Sequence, residues 1–329
     1  MSAAATPLRK ARPPLRLGLG GREAALLAAL ALVLVAVSLV SHGTFWDPVN
    51  IRSLLVSSAI TAVPAVGMTL VILTGGIDVS IGSMLGLIAA IGGKGFEAGW
   101  PLATVVPLFL LLGAGFGLIN ALVILQGRVP PVVATLGTLS IFRMCVFLVL
   151  GSNWITGIPP VLTTIFIATR LGPLPVATVI ALVLLAAAAA FLRWHRIGRH
   201  VYAVGNNEEA ARLAGIRVQR IRLATYVVLG ICTAGAALLQ LGQSPLVQTS
   251  TGTGFELSVI AAVVLGGTEL SGGRGTMLGT MLGTLIVGLV TDAIVLMHIQ
   301  PFWGGVILGL IILVSVGAGR GRTGAQRLS

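Results

Sequence analysis

The sequence predicts an all-α integral membrane protein of about ten transmembrane helices, and three observations carry that reading. First, only 9% of the 329 residues are charged and 56% are hydrophobic. A soluble domain carries about 25% charged residues, because its surface must be polar. Second, the apolar residues come in blocks. Ala24 to Ser41, Val132 to Val149 and Val176 to Leu192 are each near the roughly 20 residues that cross about 30 Å of hydrocarbon. Third, the basic residues alternate between the two sides of these blocks. Of the 21 Lys and Arg, 17 fall on the side that holds the N-terminus, and only Arg52, Lys94 and Arg170 fall on the other, with Arg143 inside a block. Positive charge collects on cytoplasmic flanks, so both termini are expected in the cytoplasm and the number of spans is expected to be even. The same rule explains the net charge of +12 without any nucleic-acid partner.

Along the chain, residues 1–23 are basic, contain Pro7, Pro13 and Pro14, and read as a disordered cytoplasmic N-terminus. The apolar block that follows exceeds the 7–15 residues of a signal-peptide core, so it is expected to be a retained first span. Helices are expected near 24–41, 53–73, 83–93, 101–125, 131–150, 173–192, 223–241, 255–267, 276–297 and 302–317. The third and eighth are too short to cross a bilayer unless loop residues join them. The transmembrane domain thus covers 24–317, and 318–329 form a cytoplasmic tail.

The longest polar stretch is Arg193–Arg222. Within it, Glu208-Glu209-Ala210-Ala211-Arg212-Leu213-Ala214 is a strong helix-forming run. Asn206 or Asn207 can cap its start and Gly215 can stop it, and the acidic pair sits where the helix dipole favours it. A helix this short is not stable alone, so 193–222 is expected to be a cytoplasmic element that docks a partner.

One short segment occurs twice. Residues 75–82 read Gly-Gly-Ile-Asp-Val-Ser-Ile-Gly and residues 266–273 read Gly-Gly-Thr-Glu-Leu-Ser-Gly-Gly, followed by Ser83-Met84-Leu85-Gly86 and Thr276-Met277-Leu278-Gly279. Both follow an even-numbered span, which predicts two structurally related halves. Gly-Gly breaks a helix, and the freed backbone groups must face protein or water rather than lipid. Such paired breaks point to a transport path. The candidates for that path are Gly75, Gly76, Asp78, Ser80, Gly266, Gly267 and Glu269, together with Arg143, an intramembrane cation that needs a partner or water. Asp78 and Ser80 also precede an apolar helix, as caps do. Asp78, Glu256, Glu269 and Asp292 are all candidate partners of Arg143. Asn120, Gln240 and Asp292 interrupt apolar blocks as helix–helix contacts. Gly113/Gly117, Gly279/Gly283 and Gly305/Gly309 have the spacing of close helix packing.

Chemistry-bearing motifs are missing. There is no P-loop, no metal-binding constellation among His42, His195, His200 and His298, and no catalytic set. Cys145 and Cys232 lie in apolar blocks and read as packing residues. The chain itself is therefore expected to bind no cofactor and to catalyse no reaction.

Several stretches carry a family resemblance. They are Leu73-Thr74-Gly75-Gly76-Ile77-Asp78-Val79-Ser80-Ile81-Gly82-Ser83; Thr135-Leu136-Gly137-Thr138 with Ser140-Ile141-Phe142-Arg143; Gly198 to Gly205 with Asn207 to Ile216; and Glu256 to Ala262 with Leu265 to Thr268 and Ser271 to Thr276. Across roughly residues 50–315 the chain resembles the permease subunits of bacterial ABC importers for monosaccharides, of the ribose, xylose and arabinose type. The resemblance implies a homo- or heterodimer of permease chains in the inner membrane, a cytoplasmic ATPase that holds the ATP-Mg, and a periplasmic solute-binding protein. By position, Asn207, Glu208, Glu209, Ala210, Ala211, Arg212, Leu213, Ala214 and Gly215 would couple to the ATPase. Met144 departs from the family, as does the Pro-rich segment 151–172, both where specificity is expected. The competing reading is a secondary transporter driven by an ion gradient, with Asp78, Glu269 and Asp292 as ion sites.

Overall fold

The computed structural model describes residues 21–41, 43–300 and 303–313. Residues 1–20 of the expected N-terminal segment, His42 and the expected tail 318–329 lie outside them. Each of the ten predicted apolar segments holds a helix: α1 (Gly21–Val40), α2 (Pro48–Leu73), α3 (Ile81–Glu97), α4 (Leu102–Leu125), α5 (Pro131–Leu150), α7 (Val176–Trp194), α10 (Val218–Gln243), α11 (Phe255–Leu265), α12 (Met277–Leu296) and α13 (Trp303–Leu313). Between them lie α6 (Pro160–Leu162), α8 (Arg196–Asn206) and α9 (Glu208–Leu213). Six of the helices (α2, α4, α5, α7, α10 and α12) are long and apolar enough to cross a membrane. The fold is an all-α membrane bundle.

The apolar character of each helix decides its place. In α2 the most apolar window is 83% buried, in α5 only 28%. A helix that is apolar all round has no solvent face, so α2 becomes the centre of the bundle. In contrast, α4, α5 and α7 turn large apolar faces outward, toward lipid or another chain. Small residues permit the closest approaches. A Cβ on Gly113 of α4 would stand 2.3 Å from the Gly230 carbonyl oxygen of α10, and one on Gly283 of α12 would stand 1.9 Å from that of Ala262 in α11. These are the backbone contacts that the Gly113/Gly117 and Gly279/Gly283 spacings predict. A Cβ added at Gly305 or Gly309 would meet nothing within 4 Å among the described residues. Cys145 and Cys232 pack against the main apolar cluster, as expected.

The two short segments resolve differently. α3 takes in residues of its loops and reaches 17 residues. α11 stays at 11 residues, about 16 Å at 1.5 Å per residue. The chain before it, residues 244–254, fills the missing length by dipping between helices. Arg143 of α5 holds that segment: its Nη1 donates to the carbonyl oxygens of Thr249 (3.0 Å) and Thr251 (2.8 Å). Gly252 presses against Gly82 of α3, where an added Cβ would lie 2.1 Å from the Gly82 oxygen. The intramembrane arginine therefore satisfies backbone carbonyls, and none of the four candidate carboxylates lies within ion-pair distance of it.

The bundle has two ends. At one, Ile155 bridges Val247, and a two-stranded antiparallel pair, β1 (Arg170–Leu171) and β2 (Leu174–Pro175), closes the segment after α5. Sequence periodicity gives no sign of these strands, because two residues are too few to alternate. At the other end sit α8 and α9, with the C-terminal ends of α2 and α11.

Candidate functional site

Both Gly-Gly motifs end a helix in the same way. After α2, Gly75 takes φ 80 and its N–H bonds the Ile72 oxygen, while the Gly76 N–H reaches back to Val71. After α11, Gly267 takes φ 95 and bonds Val264, while the Thr268 N–H reaches back to Val263. This is the Schellman termination, which favours glycine at the left-handed residue. The structural equivalent of Gly75 is thus Gly267. Letter by letter, the repeat aligns Gly75 with Gly266, one residue out of register, so Asp78 and Glu269 do not correspond.

Their surroundings confirm that. Asp78 is fully buried. Its Oδ1 accepts from the Ser80 N–H (2.8 Å) and hydroxyl (2.7 Å), and its Oδ2 accepts from Nδ2 of Asn120 in α4 (2.8 Å). This is a turn closing the break and opening α3. Tyr226 of α10 donates its hydroxyl to the Ile77 oxygen at 3.3 Å, so α3, α4 and α10 meet at this joint. Glu269 is half-exposed and lies 3.7 Å from Arg274.

Helix α8 lies against both breaks, and α9 follows it directly. The His195 imidazole caps α8 by accepting from the Ile197 N–H. Asn207 caps α9 by accepting from the Ala210 N–H at 3.0 Å, and Gly215 stops it at φ 79, so of the two candidate caps Asn207 serves. Asn206 ends α8 and turns elsewhere, donating to the Gly273 oxygen. Gly205 permits a close backbone approach: an added Cβ would lie 1.8 Å from the Leu73 oxygen and 2.4 Å from the Gly273 nitrogen. The Gly273 N–H donates to the Leu73 oxygen at 2.9 Å. The Tyr202 hydroxyl donates to the Gly275 oxygen at 2.9 Å. Burial raises its pKa, which keeps the donor proton in place. Arg222, at the start of α10, donates to the Thr74 oxygen at 3.4 Å and pairs with Glu208 at 2.8 Å. Three segments far apart in sequence are stitched here into one unit: the end of α2, the 266–275 loop and the α8–α9 element.

Beside this unit a cavity of about 850 Å³ opens among α9, the start of α10 and the α4–α5 turn, and Gly75 and Gly76 form part of its wall. At the other end of the bundle a second cavity, of about 430 Å³, lies among α10, α11, α12 and α13 and the 244–254 segment. Gln240, Ser244, Gln248, Thr251, Thr253, Ser258 and Thr291 supply its polar groups, and among the described residues no charged side chain lines it. None of the eight path candidates lines this second cavity. Asp78, Ser80, Gly266, Gly267 and Glu269 belong to the breaks, while Arg143 holds the 244–254 segment from outside the lining. The run Ser250-Thr251-Gly252-Thr253-Gly254, a turn-rich interruption between apolar helices, is the signal in the sequence that marks this segment. Asp292 accepts from Nδ2 of Asn50 at 3.0 Å, a helix–helix contact as expected. No group of three or more His, Cys, Asp or Glu able to hold a metal occurs among the described residues.

A helical membrane bundle with two glycine breaks toward one end and a cavity lined by uncharged polar groups at the other has the features of a membrane permease. Comparison with known proteins agrees. Residues 50–316 match the family described as the permease component of the branched-chain amino acid transport system. The autoinducer 2 import system permease protein LsrC of Yersinia enterocolitica is 36% identical over 309 residues, 92% of this chain and 84% of the relative. LsrC of Photorhabdus luminescens is 34% identical, covering 96% and 95%, and the ribose import permease protein RbsC of Haemophilus influenzae is 34% identical, covering 87% and 89%. No solved structure shows a significant match. The chain belongs to this family of importer permeases, within its branch of sugar-importer permeases.

Proposed function

We propose that this chain is the membrane-spanning subunit of an ATP-driven importer for a neutral polyhydroxylated solute, a monosaccharide or a small polyol of similar size. In this reading ten helices cross the inner membrane, the termini and the α8–α9 face are cytoplasmic, and the 430 Å³ cavity faces the periplasm. A solute-binding protein delivers the cargo there, and a second permease chain covers one of the outward apolar faces. ATP-Mg is held by a separate ATPase that docks on Asn207 to Gly215.

The observation that carries the coupling is the direct contact of α8, which leads straight into α9, with both glycine breaks. A force applied to α9 would pass through Asn207 to α8, whose Gly205 backbone meets the Leu73 oxygen at the end of α2 and the Gly273 nitrogen in the loop after α11. α9 also offers a handle: Leu213 is 83% exposed, an apolar side chain with no cover in the chain, beside the exposed Glu209. The solute class follows from the second cavity. Its volume lies within the range of small-molecule pockets, and its lining offers amide and hydroxyl groups without charge. Hydroxyl-rich solutes match such a lining, whereas a zwitterionic amino acid would leave two charges unpaired.

Co-purification tests the reading. The ATPase encoded with this chain should come down with the wild type and be lost from a Leu213→Asp, Glu209→Lys variant, with uptake reduced about tenfold or more. Glu208 is unsuitable for this test because it anchors Arg222. Gradient-driven transport by this chain alone in liposomes would instead establish the secondary-transporter reading.

A further inference from the structure

We infer that the 850 Å³ cavity beside α9 is a binding site for a phosphate-bearing anion. Arg128, Arg212, Arg217, Arg220 and Arg222 line it, against one carboxylate, Glu208. That carboxylate is already engaged, by Arg222 at 2.8 Å and Arg212 at 3.1 Å. Among the described residues, Arg128, Arg217 and Arg220 have no carboxylate within ion-pair distance. The general excess of arginine on one membrane flank explains charge spread over a surface. It does not explain five arginines lining one concavity.

Two helix starts add to the field. α5 begins at Pro131 and α10 at Val218, and both first turns border the cavity. Neither is capped by a side chain, so both present the positive end of a helix dipole to the same space. Guanidinium forks match phosphate oxygens in pairs, and basic pockets between transmembrane helices suit lipid phosphates equally well. A phosphomonoester in water and an anionic lipid headgroup offer the same chemistry. Either would bridge Arg217 and Arg220, which follow α9 in the chain, to Arg128 in the α4–α5 turn, and so restrain α9 against those helices. This inference does not depend on the importer reading, since binding needs only the isolated chain.

The test uses the purified full-length chain in nanodiscs. In phosphatidylcholine discs, titration with inorganic phosphate at constant ionic strength, with chloride as the control anion, should give a saturable rise in the unfolding midpoint. In discs that also contain phosphatidylglycerol, native mass spectrometry should find that lipid retained if the headgroup is the occupant, and the phosphate response should then be suppressed. An undiminished phosphate response would identify the free anion. An Arg128→Gln, Arg217→Gln, Arg220→Gln variant removes exposed side chains that make no hydrogen bond among the described residues. It should keep its unliganded midpoint and weaken phosphate or lipid binding about tenfold or more. Equal binding by the two proteins overturns the inference. So does a wild type that shows no response beyond that to chloride and retains no phosphatidylglycerol, a result that stands even if the variant fails to fold.

Discussion

The two glycine breaks share a sequence motif and a helix ending, yet they do opposite things with their acidic residue. At the first break the chain needs only residues 74–80 to pass from α2 to α3, and Asp78 is buried with its carboxylate bonded to Ser80 and Asn120. At the second, residues 266–276 separate α11 from α12, and the longer loop carries Glu269 out to a half-exposed position beside Arg274. The one-residue shift between Gly75 and Gly267 and the difference in loop length together put the two acids in different places. Similar letters therefore specify the same backbone turn without specifying the same site, because the turn is local and the surroundings of a side chain are not.

Asp78→Ala is the strongest test of that difference. It strands the Ser80 N–H and takes one of the two acceptors of the buried Asn120 amide, leaving the Ser80 hydroxyl, and should cost about 3 kcal/mol of stability, read from unfolding in detergent. Gly205→Ala comes next, since its methyl group meets backbone on both sides. About 2 kcal/mol is expected, with uptake lost along with the seating of α8 on α2. An Ala variant that keeps wild-type stability and uptake would show that the stitching of α8 to the breaks is not needed.

The two left-handed glycines sharpen the correspondence. Gly75→Ala and Gly267→Ala should cost similar amounts, about 1–2 kcal/mol each, since both force a Cβ into positive φ. Gly266→Ala should cost through collision with the Gly279 oxygen, 2.3 Å from the added atom, so a compensating backbone shift in α12 should accompany it and not the other two. The smallest effect belongs to Glu269→Gln. Its 3.7 Å ion pair with Arg274 is largely exposed, and such pairs contribute at most about 1 kcal/mol. A loss as large as that of Asp78→Ala would restore the equivalence of the two acids.

The elements whose chemistry is local were legible beforehand. The apolar blocks, the break after α2, the Asn207 cap and the Gly215 stop all follow from residue type and near neighbours. The glycine spacing of α4 also announces a close partner, though not that the partner is α10. The mate of Arg143 was not legible, because a backbone carbonyl has no letter of its own and any segment can supply one. Nor was the division of the eight path candidates, which depends on how far each loop projects.

The sequence by itself determined that this chain is a helical bundle for a bilayer, where its helices break and which family it resembles. Those properties reside in hydrophobic length, glycine position and motif order, and each can be read without knowing what lies opposite. Packing alone seated α8 on both breaks, tied residues 244–254 to α3 and α5, and gathered five arginines around one cavity. Each of these is a contact between segments dozens to hundreds of residues apart, and only packing of the whole chain brings them together.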